Sequence, residues 1–285
     1  MLPAMTRKPR IAIVGPGRLG SALALELSRA GYRIAEIISR KRAGMVRVLA
    51  QKLRARSSVF ENALLDADLI WFCVPDREIA AAARSIASKT EWAGKTAFHS
   101  SGALASDELD VLRRRGARVA AVHPMMTFVR GAVPSLKGVP FAVEGDRSAV
   151  RLARRIVRDL GGATFRILAK DKAAYHAWGA FASPLLVALL VSAEQVARAA
   201  GLKAAEARKK MLPILKQTIE NYDRLGPAGA FSGPLVRGDA EIVRKHLQVL
   251  RNIPEAKDVY LALARVAVRH LPVQQRRKLE HALRH

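Results

Sequence analysis

The chain has 285 residues, 50% hydrophobic and 26% charged, which suits one large or two ordinary globular domains and excludes a disordered or fibrous protein. Its single cysteine, Cys73, rules out an intramolecular disulfide and a cysteine metal cluster, so no metal site is expected and a reducing cytoplasm is the natural compartment. With 49 Lys+Arg against 24 Asp+Glu the formal charge is +25, yet the basic residues fall in small scattered groups and aromatics make up only 5%, so a basic soluble surface is expected in place of a base-stacking nucleic-acid platform.

The first ten residues are basic, with no long apolar run before the first strand, and do not read as a secretory signal. Short β-branched strands then alternate with helices. Ile11 to Val14 is a strand and Leu19 to Ala30 a helix; Ile34 to Ile38 is a strand and Ala43 to Leu53 a helix. Leu69 to Val74 forms a strand without polar interruption, followed by a helix from Glu78 to Ala87 and a strand from Thr96 to Phe98. A helix near Ser106 to Arg114, a strand from Arg118 to Val122, a strand from Phe141 to Val143 and a helix from Ser148 to Leu160 complete the series, which Gly161-Gly162 closes. Near-continuous apolar strands separated by helices indicate a doubly wound parallel sheet, an α/β Rossmann domain over residues 1–168.

Beyond about Lys170 the pattern changes to alanine- and leucine-rich helices, read as Ala173 to Ala200, Ala204 to Asp223, Asp239 to Leu250 and Lys257 to Arg269. Residues 169–285 are therefore expected to form an all-α domain for substrate binding and dimerisation. The uncharged stretch Ala177 to Ala193 is 17 residues long and contains Ser183-Pro184, short of the ~20 needed to span a membrane, so it reads as a buried helix and no membrane is expected. It is apolar all round, and the few other helices cannot cover it within one chain; a homodimer is expected.

Gly15-Pro16-Gly17-Arg18-Leu19-Gly20 fits G-x-G-x-x-G between an apolar strand and a helix, where glycines permit the turn, the approach of a pyrophosphate and close helix–strand packing. At the end of the second strand an NAD site usually places an acid, but here stand Ser39 and Arg40, and Glu36 lies inside the strand; a 2′-phosphate suits these groups better, so the cofactor is read as NADP(H). Val74 and Pro75 should line the cofactor path, and Cys73 reads as core. Two polar groups stand at strand ends, the edge at which open sheets bind ligands: His99-Ser100-Ser101-Gly102 and His123-Pro124. Lys172 and His176 share a helix face at i and i+4, and a lysine beside apolar surface could carry a proton to a carbonyl or imine.

The segments GPGRLG, HSSGAL, HPMMTF, YHAWGAFAS and LGPAGAFSGPLVRGD together resemble uncharacterised Rossmann-like NADP oxidoreductases that carry a helical C-terminal domain of unknown function. More distantly the chain is similar to ketopantoate reductase, pyrroline-5-carboxylate reductase, the β-hydroxyacid dehydrogenases and prephenate dehydrogenase. The resemblance implies two catalytic templates. Lys172 and His176 resemble the lysine and asparagine of the β-hydroxyacid dehydrogenases, with histidine replacing asparagine, while Ser101 and His123-Pro124 resemble the serine and His-Pro of the prephenate dehydrogenases. The expected activity is hydride transfer to or from a small carboxylated keto, hydroxy or imine substrate. His99, Ser100, Ser101 and Gly102 would bind the substrate, and Lys172, His123 or His176 would move the proton. A non-catalytic NADP(H) sensor and, more remotely, a nucleic-acid-binding protein are the alternatives.

Overall fold

A computed structural model describes residues 7–129 and 131–284; the N-terminal reading rests in part on residues 1–6, which lie outside the described residues. The chain forms two compact units, the first ending at Ala180 and the second beginning at Phe181.

In the first unit the elements run β1 Ile11–Val14, α1 Arg18–Arg29, β2 Ile34–Ser39, α2 Gly44–Lys52, β3 Arg56–Val59, β4 Leu69–Phe72, α3 Ile79–Ile86, β5 Thr96–His99, α4 Asp110–Arg113, β6 Arg118–Pro124, β7 Pro140–Gly145, α5 Arg147–Asp159, β8 Ala163–Arg166 and α6 Lys172–Ala182. The strands make one eight-stranded sheet in the order β3-β2-β1-β4-β5-β6-β7-β8. Every residue of β1 and β4 is buried because helices cover both faces. Leu23 and Leu27 of α1 and Ile156 and Val157 of α5 pack with Ile13, Trp71 and Phe98 on one face. Ile79 and Ile86 of α3 and Leu112 of α4 pack with Val14, Ile70 and Phe72 on the other. The chain leaves β1 toward one edge and returns at β4, so the crevice at the carboxyl ends of these two strands is the topological switch point.

The sheet departs from the expected pattern in two places. β7 runs antiparallel to β6, and β8 pairs parallel to β7, so the sheet is mostly rather than wholly parallel. β3 and β8 do not show in the sequence because they are four-residue edge strands, Arg-Ser-Ser-Val and Ala-Thr-Phe-Arg, with little apolar alternation.

The second unit contains α7 Pro184–Ala199, α8 Ala204–Ala230, α9 Pro234–Arg237, α10 Ala240–Leu250, α11 Pro254–His270 and α12 Arg276–Ala282. Val243 and Leu247 of α10, Ala264 and Val268 of α11, and Leu279 of α12 form its core. The single helix expected from Ala173 to Ala200 is two: Ser183 leaves helical geometry at φ −131°, ψ −81°, because the proline ring at 184 disfavours helical backbone before it. In α8 the helical backbone ends at Gly226, whose φ of 69° breaks it. Within one chain α7 is not buried: Leu185, Val187 and Val191 are 48%, 59% and 51% exposed. Ala169–Ala199 is also long and apolar enough to cross a membrane by length and composition alone, at a mean hydropathy of 1.6.

Candidate active site

The glycine turn is built as a dinucleotide loop requires. Gly15 has φ 89°, and a Cβ there would lie 2.6 Å from Val74 Cγ1, so the turn needs glycine both for its conformation and for its contact with the loop after β4. A Cβ on Gly20 would sit 2.2 Å from the Gly15 carbonyl oxygen and 3.0 Å from Cys73 Cβ, which is why α1 can start directly against β4. Gly17 differs: nothing lies within 4 Å of the place of its Cβ, and that open side is where a pyrophosphate can approach the backbone and the α1 N-terminus. The Ser21 hydroxyl donates to the Pro16 carbonyl at 2.9 Å and fixes the loop, and α1 starts at Arg18 with Leu19 packed inward and no acid in its first turn. Burial pushes the Cys73 thiol up to about 12, so Cys73 is packing and not a nucleophile. Pro75 leads into the short turn Asp76–Glu78.

At the end of β2 a cavity of about 460 Å³ is lined by Ser39, Arg42, Arg47, Arg56 and Asn62. Arg40 is not among its lining residues; it reaches Glu78 at 3.3 Å instead. Arg47 and Arg56 were not singled out by sequence, because they enter from α2 and β3, beyond the β2 turn where a ribose partner is ordinarily sought. Glu36 is buried, and its carboxylate accepts hydrogen bonds from the Ser58 hydroxyl and the Leu64 and Leu65 amides. It holds the loop after β3 and offers nothing to a ribose.

The second cluster lies on the same carboxyl edge of the sheet, beyond β5 and β6. His99, fully buried, uses both ring nitrogens: Nε2 lies 2.8 Å from the Ala105 carbonyl and Nδ1 accepts from the Ser101 amide at 3.1 Å. Its ring is a strut for the loop and keeps no nitrogen for a substrate. Ser100 Oγ accepts from Trp71 Nε1 at 2.8 Å and its proton faces the Cys73 sulfur, while Ser101 Oγ accepts from the Ala103 and Leu104 amides and still has a proton to donate. The strut and the serine turn hold the Ser101 carbonyl toward α6, where Lys172 Nζ donates to it at 3.1 Å. Gly102 packs against two imidazoles, since a Cβ there would come 2.9 Å from both His123 Nε2 and His176 Cδ2.

One member of this cluster was missed. Tyr175, buried on α6, places its hydroxyl 2.6 Å from His123 Nδ1, with the two rings edge to face. The signal was present in the spacing, because Lys172 and Tyr175 at i and i+3 share a face, and the structure buries this pair while His176 stays exposed.

Burial sets the protonation states. Lys172 is 1% exposed, and desolvation brings its ammonium down to about 8, opposed by the charges of Glu144, Asp76 and Asp107. His123 is pushed down to about 4, first by desolvation and then by Lys172 and His176. Desolvation raises the Tyr175 phenol to about 12. A protonated phenol beside a neutral imidazole can donate to Nδ1, and in that tautomer the histidine proton sits on Nε2, facing Gly102. The site therefore presents two donors, Lys172 Nζ and His123 Nε2–H, of which the lysine can give up its proton near neutral pH.

Residues 4–124 match a Rossmann-like domain, and residues 139–267 match DUF2520, a domain of unknown function. None of the curated proteins matches its sequence. Among solved structures, a provisionally named NADP oxidoreductase of Bacteroides fragilis is 23% identical, with a TM-score of 0.74 over 91% of this chain and 97% of the other. An imine reductase of Myxococcus stipitatus in complex with NADP+ is 17% identical, with a TM-score of 0.64 over 96% and 100% of the two chains. A reductive aminase of Aspergillus terreus in complex with NADPH and ethyl-5-oxohexanoate is 18% identical, at 0.63 over 96% and 99%. These likenesses establish a shared fold.

Proposed function

We propose that the protein is an NADP(H)-dependent oxidoreductase acting on the C=O or C=N bond of a small carboxylated compound, or on the corresponding alcohol or amine. The observation that carries this is the placement of a proton-carrying lysine, Lys172, with His123 and Tyr175, on the sheet edge that also bears the open Gly17 turn. The named functions of the imine reductase and reductive aminase, which share the fold, support the same class of chemistry. The open Gly17 turn and α1 N-terminus fit a pyrophosphate, and the Arg42, Arg47 and Arg56 cavity fits a 2′-phosphate. NADPH, when bound, supplies the hydride, and NADP+ takes it back.

The chain's own residues manage the proton. Lys172 holds it against the Ser101 carbonyl and releases it to the substrate oxygen or nitrogen; in the oxidative direction the neutral amine takes it up. His123 Nε2–H steadies the same atom, and Tyr175 keeps the imidazole in that tautomer. The Ser101 hydroxyl, which keeps a proton to donate, and Ser100 beside it are the groups for a substrate carboxylate, and His176, on the exposed side of α6, closes over Gly102. An NADPH absorbance assay against cyclic imines and 2-keto acids tests the reading. Lys172→Met should lower turnover by about 10²–10⁴ with NADPH affinity within a few fold. NADPH binding with no turnover of any such substrate would instead support a nucleotide sensor, working where NADPH is abundant and Cys73 stays a thiol, in the cytoplasm.

The same reading includes a homodimer. Apolar side chains of α7 and of α8, among them Val187, Ile214 and Ile219 at 59–67% exposure, are too many to leave in water, and a second copy supplies a matching surface. Light scattering should give twice the 31.1 kDa chain mass, and a monomer would refute it.

A further inference from the structure

The two edges of the sheet each carry an arginine-lined cavity. One, at β2 and β3, belongs to the dinucleotide reading. The other lies at the β8 edge, seven strand spacings or about 34 Å across the sheet. It has a volume of about 550 Å³ and is lined by Arg147, Arg151 and Arg154 of α5 and Arg166 of β8. We infer that this cavity is a second anion site, for a small organic ligand carrying two or more phosphoryl or carboxylate groups.

The argument is one of uncompensated charge. Positions 147, 151 and 154 fall on one face of α5 within about 10 Å of axis, so their guanidiniums repel one another at close to a Debye length of ~8 Å. Several arginines elsewhere find carboxylates, as Arg10 does Asp66, Arg113 Asp146, Arg208 Glu194 and Arg237 Asp239, but these four are grouped around one cavity. Among the described residues, none of the four cavity arginines makes an ion pair or a hydrogen bond through its side chain. The one acid in the wall, Glu144, has both oxygens taken by the Ser106 amide and hydroxyl, at 2.9 and 2.8 Å. Four cations against one engaged carboxylate leave a surplus of three charges.

The cavity shape selects the ligand class. Its volume lies in the range of small-molecule sites, roughly 300–1,000 Å³, and no aromatic side chain lines it for base stacking. Val150, Ile167 and Leu168 give it an apolar wall beside the guanidinium forks, so the ligand pairs a short carbon frame with its anionic groups.

The test titrates the full chain with inorganic pyrophosphate and, separately, with citrate, with NADPH present only to occupy the dinucleotide loop. Saturable binding of one anion per chain, with Kd below about 1 mM, is expected for at least one probe. Arg151→Ser/Arg154→Ser should weaken it at least tenfold and leave NADPH affinity within twofold. Hydrogen exchange in the unmodified protein locates the site whether or not the variant folds and whether or not NADPH binds: the anion should protect residues 147–154 and 164–169. Absence of saturable binding, protection confined to residues 15–21, or unchanged affinity in a folded double variant would overturn the inference. Binding of an RNA of about 20 nucleotides tenfold more tightly than either small anion at equal salt would overturn it too, in favour of a nucleic-acid surface.

Discussion

The Tyr175 hydroxyl and His123 Nδ1 stand 2.6 Å apart, and this contact ties the first helix after the sheet to the end of a central strand. Tyr175→Phe removes the donor and leaves Nδ1 unpaired in a setting where burial has already made the charged imidazole unfavourable. The expected loss of stability is about 1–3 kcal/mol in denaturant unfolding. Nitrogen NMR of His123 should change from one tautomer to a mixture, and turnover should fall with little effect on NADPH affinity. A single Nε2–H tautomer persisting in the variant would show that the phenol does not set it.

Cofactor preference should reside in the cavity beyond β2 more than in Arg40. Calorimetry should find NADPH bound more tightly than NADH, and Arg42→Ser should narrow the gap by about 1.5–3 kcal/mol, the worth of a hydrogen bond to a charged group. Arg40→Ser should narrow it less, because that guanidinium is turned toward Glu78. Equal affinities in the unmodified protein would remove the 2′-phosphate assignment.

Stability should fall on the acid side of neutrality through His99 and His123, and the sign is set by their depressed values. Each is pushed to about 4, below the ordinary 6.5, so between these values the unfolded chain binds more protons than the folded one. The stability they contribute is full above about pH 6.5 and is lost as pH drops toward 4. On the alkaline side Lys172, lowered to about 8, acts in the same sense, since the unfolded chain again binds more protons and stability gains from pH 8 to about 10.4 as the buried charge is relieved. Net loss at high pH must therefore come from other groups, and melting curves of Lys172→Met should lack the Lys172 gain while retaining the acid loss. A melting temperature for the unmodified protein that is flat from pH 7 to 4 would contradict buried neutral histidines at 99 and 123.

Much of this was legible in the sequence because the physics was local. Strands β1 and β4 are apolar on both faces, and the G-x-G-x-x-G spacing of the first turn, with Gly15 at φ 89°, is contained within six residues. His99, Ser101 and His123 were found by position, since strand ends can be read from periodicity. Their division of labour could not be read: whether a histidine is a strut or a donor depends on what meets its second nitrogen, and for His123 that group arrives from 52 residues away. The polar edge strands β3 and β8 were invisible for a related reason, as ladder pairing and not side-chain pattern holds them in the sheet. The Ser183-Pro184 break was visible, but a run of alanine and leucine around it outweighed a single steric rule.

The division at Ala180 falls inside α6, so Lys172, Tyr175 and His176 are packed with the sheet although they precede the second unit by only a few residues. Anyone building chimaeras from relatives of this chain meets the consequence at once. A crossover placed where the α/β pattern ends, near residue 168, would pair the Ser101 carbonyl and His123 ring of one parent with the lysine and phenol of another. A crossover at Ser183-Pro184, where the backbone already turns, transplants the cluster whole, and hybrids made there should keep the reactivity of the parent that donates the sheet.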